Sequence, residues 1–136
     1  MLNIEYVGCD FDSTLSMIEQ QFPKCGEPSE GFEVMKDFQA AGGKVILWTC
    51  RTGKALDMAV EFCKSQGFTP VAVNKHTQEQ IDKAKSMDIE ISPRKIYCHM
   101  YIDDKSPEAL LYGINWKLIR HMLFNMNQFL QNKQVA

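Results

Sequence analysis

Four short apolar runs, at residues 4–9, 44–48, 70–73 and 96–102, alternate with segments of helical periodicity, and this alternation leaves few folds open to the chain. Each run is too short for an ordinary helix and reads as a buried strand. After Ser29, a candidate N-cap, Val34, Met35, Phe38 and Ala41 recur at helical spacing, and Gly42-Gly43 ends that helix. Leu56, Ala59, Val60 and Cys63 share one face of a second helix, which Gly67 stops. A polar stretch at 77–87 is expected to be a third helix. Ile119, Met122, Leu123, Met126, Phe129 and Leu130 line one side of a C-terminal amphipathic helix. Residues 16–28, carrying Pro23, Gly26 and Pro28, read as an irregular loop. Strands alternating with helices specify an α/β fold with a doubly wound, mostly parallel sheet. No repeat, low-complexity tract or long linker divides the chain, so residues 1–136 are expected to form one domain.

Composition excludes several function classes. Fifteen Lys and Arg stand against seventeen Asp and Glu, a net charge of −2. That balance lacks the basic excess of a protein that binds nucleic acid or anionic lipid. No apolar run approaches the roughly 20 residues of a membrane span. The N-terminus has no basic start and no signal-like apolar core, so a soluble cytoplasmic protein is expected. The five cysteines are scattered without a CxxC pair, and zinc is not expected.

In a parallel sheet the carboxyl ends of the strands share one edge, and ligands bind there. The first strand delivers Asp10, Asp12 and Thr14 to that edge, the second Thr49, and the fourth Asp103 and Asp104. Taken singly, an Asp-x-Asp after a strand is often a turn, and a lone Thr or Lys is usually structural or solvated. Their joint occurrence at successive strand ends is harder to assign to chance. Four carboxylates at one edge repel each other, and a cation is the usual remedy. An all-oxygen donor set without His or Cys favours a hard ion such as Mg²⁺.

The string Cys-Asp10-Phe-Asp12-Ser-Thr14-Leu resembles the first motif of the haloacid dehalogenase-like (HAD) hydrolases, DxDxT after an apolar strand. Val-Ile-Leu-Trp-Thr49 is similar to the second motif, Lys95 is placed like the third-motif lysine, and Met-Tyr-Ile-Asp103-Asp104 is similar to the fourth. Lys75, Lys83 and Lys85 are the other candidates for that lysine. Ser13 departs from the pattern, which commonly has Gly there. The resemblance spans about residues 4–105, and the overall pattern is that of the short HAD proteins of bacteria and their phages.

The resemblance implies a magnesium-dependent phosphomonoesterase with a Rossmann-like core. Asp10 would be the nucleophile that forms an aspartyl-phosphate, and Asp12 the general acid and then base. Thr49 would donate to a phosphoryl oxygen and Lys95 would offset negative charge. Mg²⁺ would be held by Asp10, by Asp12 through its backbone carbonyl, and by Asp103, with Asp104 acting through water or on Lys95. Thr14 and Arg51 are the further candidates for contact with substrate. The segments after the first and second motifs are too short for a separate cap domain, so the site should be open. The partner implied is a phosphorylated substrate of unspecified identity, and the sequence leaves a homo-oligomer open.

Two alternatives belong to other classes. A phosphoacceptor domain uses similar residues, but with the acceptor on the third strand and the Lys last, which is not the order here. A non-catalytic HAD-fold module that binds metal or phosphate would be expected to have lost Asp10 or Asp12, and both are present.

Overall fold

The computed structural model describes residues 2–17, 21–92 and 94–135. Its central sheet contains β1 (Tyr6–Cys9), β4 (Lys44–Leu47), β5 (Ala72–Val73) and β6 (Met100–Ile102), in the order β5-β4-β1-β6 with every pairing parallel. Two-residue strands β2 (Ser16–Met17) and β3 (Glu27–Pro28) pair antiparallel beside it. They occupy the segment that reads as an irregular loop in the sequence.

Parallel strands need crossover connections, and helices supply them. Helix α1 (Gly31–Ala40) joins the hairpin to β4, α2 (Gly53–Ser65) joins β4 to β5, and α3 (Gln78–Ser86) joins β5 to β6. The chain steps outward from β1 to β4 to β5, then returns to the other side of β1 for β6. That reversal makes a doubly wound, Rossmann-like sheet and puts the switch in strand order at β1.

Alternation along the strands divides the core into two layers. Val7, Cys9, Val45 and Leu47 face one way and pack with Phe32, Met35 and Phe38 of α1, and with Ala59 and Cys63 of α2. Tyr6 and Ile46 face the other way and pack with Ala72, Ile96 and Cys98. The side of α3 is the thinner one, and that helix has no buried residue. A capping box between Thr77 and Gln80 fixes its start, which is how so polar a segment holds a helix.

The carboxyl-terminal part consists of α4 (Pro107–Tyr112), α5 (Trp116–Phe124) and α6 (Gln128–Val135), rather than the one long helix expected. Asn127 causes the break between the last two. Its buried side chain accepts from Ile4 N at 2.7 Å and donates to Ile4 O, and Gln128 N donates to Leu2 O at 2.7 Å. These bonds fasten the entry to β1 and turn the chain out of the helix. Helices α1 and α5 approach so closely that a Cβ on Gly31 would lie 2.3 Å from Trp116 Cζ2. No helix among the described residues is long and apolar enough to cross a membrane.

Candidate active site

Main-chain bonds fix the end of β1 from both sides. Asp10 N donates to Ile102 O at 2.9 Å, and Trp48 N donates to Cys9 O at 2.8 Å. Asp10 therefore leaves the sheet at the switch point, beside the pair that follows β6. Asp10, Asp103 and Asp104 each offer a carboxylate oxygen, and these oxygens lie within 4.8 Å of one another. Among the described residues this is the only such cluster of potential metal ligands.

The cluster changes its own protonation. Burial, the nearby Asp103 carboxylate and a hydrogen bond shared with Asp104 raise Asp10 to about 7. Thr14 pulls the other way by donating from Oγ1 to Asp10 Oδ2 at 3.1 Å. Thr14 is fully buried, so its hydroxyl orients the nucleophile candidate and does not reach out to a substrate as expected. The turn that places it wraps around Phe11 O, which accepts from the backbone N–H groups of Thr14, Leu15 and Ser16. Ser13 stands in this turn at φ 61°, the left-handed region, which explains why glycine suits that position.

Asp12 and Arg51 form the second feature of the site. Arg51 Nε donates to Asp12 Oδ2 at 2.9 Å, and its NH2 nitrogen donates to Oδ1 at 2.8 Å. Its NH1 nitrogen donates to the carbonyls of Pro23 and Ala55, and the guanidinium lies between the rings of Phe11 and Phe22. The hydrogen bonds and charge of Asp12 raise Arg51 further above its ordinary value. Four of its five N–H donors are thus committed within the protein, which makes Arg51 a strut and not the free phosphate-binding residue expected. Both oxygens of Asp12 point to Arg51, so the Asp12 side chain stands outside the metal-ligand cluster.

Thr49 completes the edge. Its backbone N–H donates to Asn74 Oδ1 at 2.8 Å, and its Oγ1 accepts from Arg51 N at 3.1 Å. With the oxygen accepting, the hydroxyl proton is left to donate outward.

Lys95 is not with these residues. The strand that follows it begins only at Met100, so Lys95 lies in the connection that crosses the opposite, amino end of the sheet. There it borders a cavity of about 600 Å³ with Asn3, Glu5 and Tyr6, and its ammonium sits 5.4 Å from the Tyr101 ring centroid. Lys83 borders the same cavity, and Lys85 is exposed on α3. Lys75 is exposed just beyond β5, at the carboxyl edge. The cation that meets the cluster is Lys105. Its Nζ is 3.4 Å from Asp104 Oδ2, and its backbone N–H donates to Asp103 Oδ1 at 2.9 Å. Reading the sequence missed Lys105 and Asn74. The position of Lys105 directly after the acidic pair was the available signal.

Two histidines serve as acceptors for backbone N–H groups. His99 Nδ1 accepts from the backbone of Glu5 and Tyr6, and His76 Nε2 accepts from Tyr97 N. Cys9, Cys63 and Cys98 are buried, and burial pushes the Cys63 thiol to about 12 and that of Cys98 to about 11. Neither is a usable nucleophile near neutral pH.

Fold and edge together define the class: a Rossmann-like α/β protein with a carboxylate cluster at the switch point of its sheet. The chain is similar to the solved structure of a conserved protein from Bacteroides thetaiotaomicron, with a TM-score of 0.69 and 30% sequence identity over 89% of this chain and 90% of that one. At that identity and coverage the two belong to one family. No protein-family model matches the chain, and no curated protein matches it.

Proposed function

We propose that this protein is a magnesium-dependent phosphomonoesterase of the HAD kind, with Asp10 as its nucleophile. The observation that carries this reading is the meeting of Asp10, Asp103 and Asp104 at one point of the sheet edge. Three carboxylates from two strand ends give an all-oxygen donor set, which fits a hard divalent cation and leaves positions for water and a phosphoryl oxygen. Such an ion would be held by Asp10 and Asp103, with Asp104 in direct or water-mediated contact, and would supply charge neutralisation for the phosphoryl group.

In the first half-reaction a carboxylate oxygen of Asp10 attacks phosphorus. The bond from phosphorus to the ester oxygen breaks, and the leaving alcohol takes a proton from Asp12. In the second half-reaction water attacks phosphorus and gives its proton to the Asp12 carboxylate. The bond to Asp10 breaks, releasing inorganic phosphate. Thr49 donates to a phosphoryl oxygen, and Thr14 holds Asp10 in aim. Lys105 takes the neutralising role first assigned to Lys95. Asp12 must enter protonated, so substrate binding requires part of the Arg51 pairing to be given up.

Phosphate release from a panel of phosphomonoesters, with Mg²⁺, with EDTA and with Asp10→Asn, tests the reading. Release is expected only with Mg²⁺ and Asp10, and the variant should fold normally. Release that ignores EDTA would remove the metal from the scheme, and an active Asp10→Asn variant would remove the nucleophile.

A further inference from the structure

Beside the carboxylate cluster lies a groove of about 500 Å³, bounded on one side by the turn after β1 and on the other by α4 and the start of α5. Asp104 belongs both to this groove and to the carboxylate cluster, and Thr14, at the groove's edge, bonds Asp10, so the groove adjoins the candidate active site. The groove's other large side chains are Met17, Leu110, Ile114 and Trp116. Leu110 is 64% exposed and Met17 is 44% exposed, a degree of apolar exposure that a covering ligand would relieve. The charged side chains bordering it are Glu30 and Asp104, and no Lys or Arg borders it among the described residues. Glu30 is the N-cap residue of α1 and makes no side-chain capping bond. The two cations near the motif residues are paired elsewhere, Arg51 with Asp12 and the carbonyls of Pro23 and Ala55, and Lys105 with Asp104.

We propose that this groove seats the leaving group of the substrate, and that this group is apolar and carries no second phosphate or other anion. The proposal rests on the phosphomonoesterase reading of the adjoining cluster and extends it to the class of substrate. An apolar alcohol gains by covering Leu110, Ile114 and Trp116. A second phosphate would sit against the Glu30 carboxylate with no Lys or Arg lining the groove to meet it, since the nearby Lys105 is paired with Asp104. Nucleoside di- and triphosphates and sugar bisphosphates are thereby disfavoured.

The test compares benzyl phosphate, glycerol 3-phosphate and a sugar bisphosphate in the full-length protein with Mg²⁺. The kcat/KM for benzyl phosphate should exceed that for glycerol 3-phosphate on the order of tenfold, the worth of burying one ring. Leu110→Asp, at an exposed position, should collapse that ratio toward one, and Glu30→Lys should raise activity on the bisphosphate relative to benzyl phosphate. Binding is read separately by the fluorescence of Trp116 in a Trp48→Phe background, titrated with benzylphosphonate and with methylphosphonate. Stronger binding of the benzyl compound, lost in Leu110→Asp, is expected. Turnover that depends on Asp10 without benzyl preference, or with the bisphosphate preferred, would overturn the groove assignment and leave the phosphomonoesterase reading standing. Selective benzylphosphonate binding without turnover of any ester would instead remove the phosphomonoesterase reading and the leaving-group role with it, leaving an apolar binding groove. Equal fluorescence responses to the two phosphonates would also overturn the groove assignment.

Discussion

Arg51 and Lys95 are cations that the sequence places close to motif residues, and the folded chain assigns them different work. Arg51 is buried against two aromatic rings and holds Asp12 through two bonds, while Lys95 is carried to the far end of the sheet. Removing the Asp12 carboxylate leaves a buried guanidinium short of its counter-charge. Asp12→Ala should therefore destabilise the fold by about 3 kcal/mol, measured by urea unfolding, in addition to stopping turnover. Asp10 behaves in the opposite sense. Its folded value near 7 lies above the ordinary 3.8, so between those values the native state holds a proton that the unfolded chain has lost. This favourable contribution is complete below about pH 4 and disappears as pH rises through 7. In EDTA, Asp10→Asn should unfold at a higher temperature than the parent chain at about pH 8, with the gap closing toward about pH 4. A gap that widens on acidification would show that Asp10 is not held near other carboxylates. Asp10, Asp12, Thr49, Asp103 and Asp104 were legible because their types and their places after apolar runs are local facts. The pairing of Asp12 with Arg51 was not, since it depends on how two loops fold over Phe11 and Phe22.

At the level of elements, helices α1 and α2 and strands β1 and β4 could be read directly. Their apolar periodicity and their glycine stops at Gly43 and Gly67 agree with the structure to within a few residues. Besides the β2–β3 hairpin and α4, two elements departed from that reading for identifiable reasons. Residues 96–99 are apolar enough for a strand, yet the strand register with β1 covers 100–102: Ile96 and Cys98 fill the thin side of the core, and His99, whose N–H donates to Tyr6 O, takes the backbone donors of Glu5 and Tyr6 with its ring. The long apolar stripe after residue 116 is continuous in sequence but interrupted in space by Asn127. An asparagine in such a stripe looks like an ordinary polar position, and its partner at Ile4 is distant in the chain. Asn127→Ala would leave the N–H and carbonyl of Ile4 without these bonds. It should cost about 2–4 kcal/mol in chemical denaturation and speed hydrogen exchange at Ile4. A loss well under 1 kcal/mol would mean that the contact with α6 does not fasten β1.

Across the whole molecule, the strand order β5-β4-β1-β6 turns separate motifs into one site. The first and last strands of the core are distant in sequence and adjacent in the sheet, so Asp10 and Asp103 leave it side by side. Alternating strands and helices implied that edge. The apolar groove beside it was hidden, because it needs α4 folded back toward the turn after β1. The most direct test is chemical. Reducing the protein with borohydride during turnover of a phosphomonoester with Mg²⁺ converts an aspartyl-phosphate to homoserine, which peptide mass spectrometry can locate. Homoserine at position 10, absent when EDTA is present, is the predicted result. Steady phosphate release with position 10 remaining aspartate throughout would contradict Asp10 as the residue that carries the phosphoryl group.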